Sequence, residues 1–386
     1  MSRLSALPAS TPLPADTESR AAVRVAFFSD AFPERNGTGA YYHDLLAQLA
    51  PRVDAVTIFQ PSDQGQRPLL SIPMPGDPGQ RLVTPSLRKV RAACDALDPT
   101  LIVVVTPGLY GLLGVLEARR RRATLLSAFH TDFEQLARMY WNPVSRFFVN
   151  IVLRSANRFV CRRSESVLIN NLGLEAEVRR LGAARVEVIG TPVAADFMAR
   201  PLHPIAPVLK RVCFAGRLAP EKNVEQVIAA ARALPDVEFV IAGDGPLRAE
   251  LAALAKDRPN VRFVGWLDRG SLIELIDSAS LLLLPSAFET FGSVALEAMA
   301  RGRPPLVSVT AGIHTWPDLR DGLFALEAPQ DLPARLGELA ALSPEEWRRR
   351  SAAARSSAEA LHAGTLDHWV RLLDAHRPAR LIADGG

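Results

Sequence analysis

Short unbroken apolar runs alternate along the chain with longer stretches of helical spacing. One series comprises "VRVAFFS" (23–29), "VDAVTIF" (53–59), "LIVVVT" (101–106), "ATLLSAF" (123–129), "SVLI" (166–169) and "VEVI" (186–189). A second comprises "RVCFAG" (211–216), "VEFVIAG" (237–243), "VRFVG" (261–265), "LLLLP" (281–285) and "PLVSV" (305–309). Runs that are apolar throughout, without period-two alternation, suit strands buried on both faces of a sheet. Strands that alternate with helices make parallel sheets joined by right-handed crossovers. Between the series, "MARPLHPIAPVLK" (198–210) carries prolines and no periodicity. The pattern predicts an α/β protein of two Rossmann-like, doubly wound domains facing a cleft, over 23–197 and 211–361, with 198–210 as linker. Residues 1–22, rich in Ser, Pro and Ala, read as a disordered tail and not a signal peptide. The stretch from Ser343 to His376 is helical again, and its last amphipathic segment, about 362–376, is expected to pack back on the first domain.

Composition narrows this picture. A chain of 386 residues exceeds one typical core, and 48% hydrophobic with 22% charged residues is the balance of a soluble globular protein. The net charge of +4 is mild. It suits an anionic small ligand or an acidic membrane surface; Lys and Arg form no aromatic-interleaved stripe of the kind that binds nucleic acid. Cys94, Cys161 and Cys213 lie far apart, in neither a metal-ligand nor a disulfide pattern, so reduced thiols and a cytoplasmic location are expected. No run approaches the roughly 18 apolar residues of a membrane span. The segment 142–159, "NPVSRFFVNIVLRSANRF", admits two readings: a buried helix with a polar face, or a helix lying on a membrane surface near a lipid acceptor.

Ligands of parallel sheets bind beyond the carboxyl ends of strands, so the residues after each run are the candidates. Arg217 and Lys222 follow "VCFAG" and precede a helix, where cations are unfavourable without an anion to meet them. A phosphate would satisfy both together with nearby amides; two surface cations, Lys222 paired with Glu221, is the alternative. Gly243 opens the turn "GDGP", which allows close backbone approach to a ligand or is an ordinary surface turn. In "PSAFETFGSVALEAMARG" (285–302), Glu289 precedes a helix and Glu297 lies within it. Gly292 lets the chain pass a ligand closely, and the amides of Thr290, Phe291, Gly292 and Ser293 are donors at a helix start. Carboxylates there can accept from the vicinal hydroxyls of a sugar or ribose; the alternatives are a dipole-complementing acid at Glu289 and, at Glu297, a buried ion pair or exposure on an otherwise apolar helix. In the first half, Gly37 and Gly39 bracket Thr38 just before a helix. This G-x-G lacks the third glycine of a dinucleotide fingerprint, but its amides can face an anion. His130 closes "ATLLSAF" and either faces the ligand or joins Thr131 and Asp132 in a helix cap.

As a set, these residues resemble a retaining glycosyltransferase of the GT-B type, family 4 in particular, and its mannosyltransferase-like and sulfoquinovosyltransferase-like members. "GRLAPEKN", "AGDGPLRAEL", "VRFVGWL" and "PSAFETFGSVALEAMARG" stand in the order of that family's second domain, and "FHTDFEQLARMY" is similar to a segment of its first. The likeness runs over about residues 23–375. It implies an acceptor-side first domain and a second domain that holds a nucleotide sugar. It implies further that Arg217 and Lys222 hold the donor diphosphate, with the amides of Phe291 to Ser293 supporting the distal phosphate. Glu289 would contact the transferred sugar, Glu297 the ribose, and the loop at Gly265 and Trp266 the base. Gly37 and Gly39 would close over the donor, and His130 would approach the reacting carbon. The family needs no metal and no cofactor, since the nucleotide sugar is itself a substrate. The likeness around His130 favours GDP-mannose, with UDP-hexoses next, and a lipid or glycan hydroxyl as acceptor. Peripheral contact with an anionic membrane at its inner face would follow, and nucleic acid is not an expected partner. Two segments depart from the family pattern, "SVTAGIHTWPDLRDGL" after the two-glutamate helix and "GTPVAADF" at 190–197. A nucleotide-sugar epimerase or a phosphorylase of the same architecture, or a non-catalytic sugar-nucleotide-binding protein, are the rival classes.

Overall fold

A computed structural model describes residues 23–33, 37–62, 70–74, 77–130 and 143–377. The expected tail at 1–22, and Thr131 and Asp132 beside His130, lie outside the described residues. The chain divides into two units: residues 1–170, 174–192 and 364–386, and residues 171–173 with 193–363.

The first unit contains β1 (Arg24–Phe28), β2 (Ala55–Phe59), β3 (Ser71–Met74), β4 (Asp77–Val83), β5 (Leu101–Val104), β6 (Thr124–Phe129), β7 (Ser166–Ile169) and β8 (Val186–Val188). Six of these form a parallel sheet in the order β2-β1-β5-β6-β7-β8, with Val25 beside both Val56 and Leu101. The unbroken apolar runs have a direct cause: alternate residues feed opposite layers. Val25, Phe27 and Val103 pack with Tyr42, Leu45 and Trp369 on one side, while Ala26, Phe28 and Val104 pack with Cys94 and Leu113 on the other. β3 and β4 form a separate antiparallel ribbon. Its sequence, "SIPMPGDPGQRLV", is punctuated by Pro and Gly and carries no readable period, so only the structure reveals it.

The second unit contains β9 (Arg211–Ala215), β10 (Glu238–Ala242), β11 (Val261–Gly265), β12 (Leu281–Leu284), β13 (Pro305–Ser308) and β14 (Phe324–Leu326), in the order β11-β10-β9-β12-β13-β14. All neighbours run parallel. The same division of faces holds. Cys213, Val240, Leu282 and Leu284 enter one core; Val212, Phe214, Phe239, Leu281 and Leu283 enter the other. The four leucines of β12 are at most 1% exposed. Each fully buried leucine contributes roughly 1.5–3 kcal/mol, so this strand anchors the loop that follows it.

The segment expected as a linker, 198–210, lies within the second unit. Its entry is fixed by Phe197, 1% exposed in that unit's core, and by the fully buried Arg301. The Arg301 guanidinium grips Asp277 through two bonds of 2.9 and 2.7 Å and donates to the carbonyls of Phe197, Arg200 and Pro201. A stretch whose carbonyls are held by a buried cation is a structural strap, which composition does not reveal. The helix Pro344–Ala375 ends in the first unit, where Leu366, Trp369, Leu372 and Leu373 join the core under β1.

Candidate active site

In the second sheet the strand sequence reverses direction between β9 and β12: the chain proceeds outward from β9 through β10 to β11, then returns to β12 on the opposite side. Loops leaving the carboxyl ends of such a pair diverge and open a crevice, the usual ligand position in open α/β sheets. Arg217 and Lys222 lie on the loop after β9, and Glu289 to Ser293 on the loop after β12. The two loops are tied together. The Ala287 amide donates to the Glu221 carbonyl at 2.8 Å, and the Asn223 side chain donates to the Pro285 carbonyl at 2.9 Å. Asn223 takes a left-handed conformation, φ 50°, which lets the short turn Pro220–Lys222 pass straight into the helix Val224–Ala233.

The Lys222 ammonium bonds directly to the Glu289 carboxylate, both side chains being less than one-fifth exposed. The Arg217 guanidinium lies 3.4 Å from the Glu221 carboxylate. The pairing expected between Lys222 and Glu221 is therefore not the one formed, because Glu221 turns under Arg217 while Lys222 reaches across to the neighbouring loop.

The Glu289 loop is held from behind by the segment that departs from the family pattern. Glu289 bridges Ala311, the Gly312 amide donates to the Glu289 carbonyl at 2.9 Å, and the Ile313 amide donates to the Phe291 carbonyl at 2.7 Å. Asn171 donates to the Thr290 carbonyl at 2.9 Å. Phe291 buries its ring edge-on to Trp316, which takes its side chain out of the crevice lining. Gly292 caps the helix Ser293–Ala300 with φ 99°, and a Cβ there would stand 2.8 Å from Leu284. Glycine is required on both counts. Glu297 sits in this helix between buried Leu296 and Ala298, itself half-buried. Gly243, after β10, has φ 131° with a virtual Cβ only 1.8 Å from the Gly216 carbonyl, so the turn is packed directly against the strand end that leads to Arg217. Trp266 follows β11 and is 70% exposed, a bare indole face beyond a strand end.

In the first unit, His130 follows β6 and is 8% exposed. It lines a small pocket with Thr38, Thr106, Pro107, Phe129 and Asn157, at the carboxyl ends of β5 and β6. Gly37 and Gly39, expected just before a helix, stand in the first turn of Gly37–Leu49, and Gly39 is buried against the Phe32 carbonyl. The Tyr42 hydroxyl, on that same helix, is 2.5 Å from His130 Nε2. Burial lowers the His130 pKa to about 4, with the Asn170 side chain pulling the other way, so the ring is neutral at pH 7. Burial raises the Tyr42 hydroxyl well above the ordinary range, so it keeps its proton. Nearby, the Asp30 carboxylate accepts from Thr106 and from the amides of Tyr110 and Gly111, capping the helix Leu109–Arg121; burial raises its pKa against those bonds. Tyr42 and Asn170 escaped sequence reasoning. A tyrosine on the inward face of the helix after a Gly-x-Gly turn was the available signal for Tyr42, but its partner is 88 residues away.

This architecture and these loops coincide with known domain models. Residues 36–192 match the glycosyl transferase 4-like domain, and residues 201–315 match glycosyl transferases group 1. The chain belongs to the glycosyltransferases that these two domains make up. Among curated relatives, it is 37% identical over 146 residues to a GDP-mannose-dependent alpha-(1-6)-phosphatidylinositol dimannoside mannosyltransferase of Mycobacterium tuberculosis, a match covering 36% of this chain and 38% of the relative. It is 34% identical over 219 residues to a D-inositol 3-phosphate glycosyltransferase of Mycobacterium avium, covering 53% of this chain and 46% of that protein. These matches thus span less than half the length of the curated relatives. Among solved structures, sucrose-phosphate synthase of Thermosynechococcus elongatus superposes with a TM-score of 0.70 at 19% identity, over 90% of this chain and 97% of that one. The fold is GT-B.

Proposed function

We propose that this protein is a retaining hexosyltransferase, moving a sugar from a nucleotide sugar to a lipid or glycan hydroxyl, with GDP-mannose as the favoured donor and UDP-hexoses next. The observation that carries the reading is the Lys222–Glu289 pair across the strand reversal between β9 and β12, with Arg217 on the same loop as the lysine. A donor diphosphate there meets two cations and the first-turn amides of Ser293–Ala300. As the bond from the anomeric carbon to the phosphate breaks, negative charge grows on the phosphate oxygens. Cations and amides already in position stabilise that charge, typically by a few kcal/mol per donor. Lys222 changes partner, from the Glu289 carboxylate to phosphate, and Glu289 is released to accept from sugar hydroxyls. Glu297 accepts from the ribose hydroxyls, and Trp266 offers its face to the base. Neutral His130 is assigned a contact with the transferred sugar near its reacting carbon. The departing phosphate takes the acceptor's proton, and attack from the face it leaves retains configuration. The GDP-mannose preference rests on the likeness around His130 and on the donor named for the mycobacterial mannosyltransferase.

The acceptor reading draws on the helix Pro143–Cys161. Phe147, Ile151 and Val152 are 62%, 49% and 66% exposed on it, Arg154 and Arg158 are exposed as well, and its sequence contains no acidic residue. Apolar side chains interspersed with arginines suit an anionic lipid surface. Among the described residues no helix is long and apolar enough to cross a membrane. The test is a thermal-stability screen against GDP, UDP and ADP and their sugars, followed by NMR of the product's anomeric configuration with a lipid acceptor. Stabilisation by one nucleoside diphosphate and an axial-to-axial product are expected. An inverted product, or sugar turnover without acceptor to an epimer, would overturn the reading.

A further inference from the structure

We infer that Tyr42 is a positioning residue that fixes His130 as the tautomer with its hydrogen on Nδ1 and holds the ring in the one orientation in which it lines the pocket after β6. This rests on the assignment of His130 to the transferred sugar. Tyr42 is fully buried, and its oxygen lies 2.5 Å from His130 Nε2. Either the phenol donates to Nε2, or Nε2 donates to the phenol oxygen. In the second arrangement the phenolic hydrogen would be left without an acceptor among the described residues, and a buried donor without a partner is costly. In the first, the phenol is satisfied, Nε2 uses its lone pair, and the ring hydrogen must sit on Nδ1. Nδ1 is itself buried, without a hydrogen bond of ordinary geometry among the described residues, and the Asn170 side chain is the ring's other hydrogen-bonding neighbour.

The surroundings lock this arrangement. The Tyr42 ring lies tilted against the imidazole at 5.4 Å between centroids, and Tyr41 meets it edge-on at 5.7 Å. Phe27 backs Tyr42 at 5.7 Å, so neither ring has room to swing. Depression of the His130 pKa keeps the ring neutral, and only a neutral ring has a tautomer to choose. The Nδ1 hydrogen is thereby held inside the protein, on the side of the Asn170 side chain, and the ring presents one fixed face to the pocket.

The test reads the tautomer directly. Protein labelled with [15N]histidine is studied by two-bond 1H–15N correlation at pH 7 without ligand, with His130→Gln identifying the His130 signals. The wild type is expected to show a protonated Nδ1 and a bare Nε2, and Tyr42→Phe a mixture of tautomers or the reverse. Transfer by Tyr42→Phe is expected to fall about tenfold in kcat with donor KM changed less than about twofold. A wild-type ring protonated at Nε2, or an unchanged tautomer in Tyr42→Phe, overturns the inference. Because the spectra contain no sugar, they stand apart from the donor reading. His130→Gln transferring sugar at the wild-type rate would overturn that reading, and the catalytic part of this inference with it.

Discussion

If Glu289 and a diphosphate compete for Lys222, removing each partner should act in opposite directions on binding. Lys222→Met deletes a charge-assisted bond, typically worth about 1.5–3 kcal/mol, so GDP or UDP affinity should fall roughly 10- to 150-fold. It also leaves the Glu289 carboxylate, 18% exposed, without its cation. That loss costs about 1–3 kcal/mol of stability, which should appear as a lower melting temperature. Glu289→Gln keeps the shape but removes the competing negative charge. Diphosphate affinity should then rise, at least severalfold, since like charges a few ångströms apart repel by up to about 4 kcal/mol in a surface crevice, reduced by solvent screening. Sugar transfer should nevertheless collapse, because the carboxylate that accepts from the sugar is gone. In the double variant, stability should recover toward wild type while affinity stays low, a coupling that a double-mutant cycle isolates. Isothermal titration with nucleoside diphosphates and thermal melts of the four proteins supply every number. Wild-type GDP and UDP affinity in Lys222→Met, or weaker binding by Glu289→Gln, would refute the exchange.

Three further outcomes follow from other parts of the molecule. His130 has an ordinary pKa of 6.5 and a folded value of about 4. The unfolded chain therefore binds a proton first as pH falls, and this group's contribution is lost between pH 6.5 and 4 at up to about 1.4 kcal/mol per unit. Melting temperatures from pH 7 to 4.5 should fall less steeply for His130→Gln than for wild type; identical slopes would contradict the burial. Arg301→Met should destabilise the second unit by about 3–5 kcal/mol, because the half-buried Asp277 keeps only His203, 4.0 Å away, and three carbonyls lose their donor; a loss under 1 kcal/mol in denaturant melts would show that the strap is dispensable. Arg154→Glu combined with Arg158→Glu should weaken sedimentation with anionic vesicles by at least tenfold at low salt, at about 1 kcal/mol per basic residue, with little change on neutral vesicles. Equal sedimentation would remove the helix Pro143–Cys161 from the membrane reading.

The two sheets were legible because burial on both faces writes itself into the chain as unbroken runs such as "LLLL" and "LIVV". β14 escaped because its Phe-Ala-Leu lacks the β-branched residues that mark the equally short β8, Val-Glu-Val, and the β3–β4 ribbon because its proline and glycine residues mask any period. Which residues follow each strand was also readable, since every strand run ends in a short polar or glycine-containing stretch. Pairings were not. Lys222 and Glu289 are 67 residues apart and meet only because β12 lies beside β9, a fact of strand order and not of local sequence. The same holds for Tyr42 and His130. The strap at 198–210 was read as linker because its order comes from a distant arginine, and nothing within the stretch itself reports it.

The proposal stands or falls on where a diphosphate sits. A crystal structure with bound nucleoside diphosphate should place phosphate oxygens about 3 Å from both the Arg217 guanidinium and the Lys222 ammonium, with the Glu289 carboxylate detached from the lysine. A nucleotide bound elsewhere, with the Lys222–Glu289 pair intact, would contradict it.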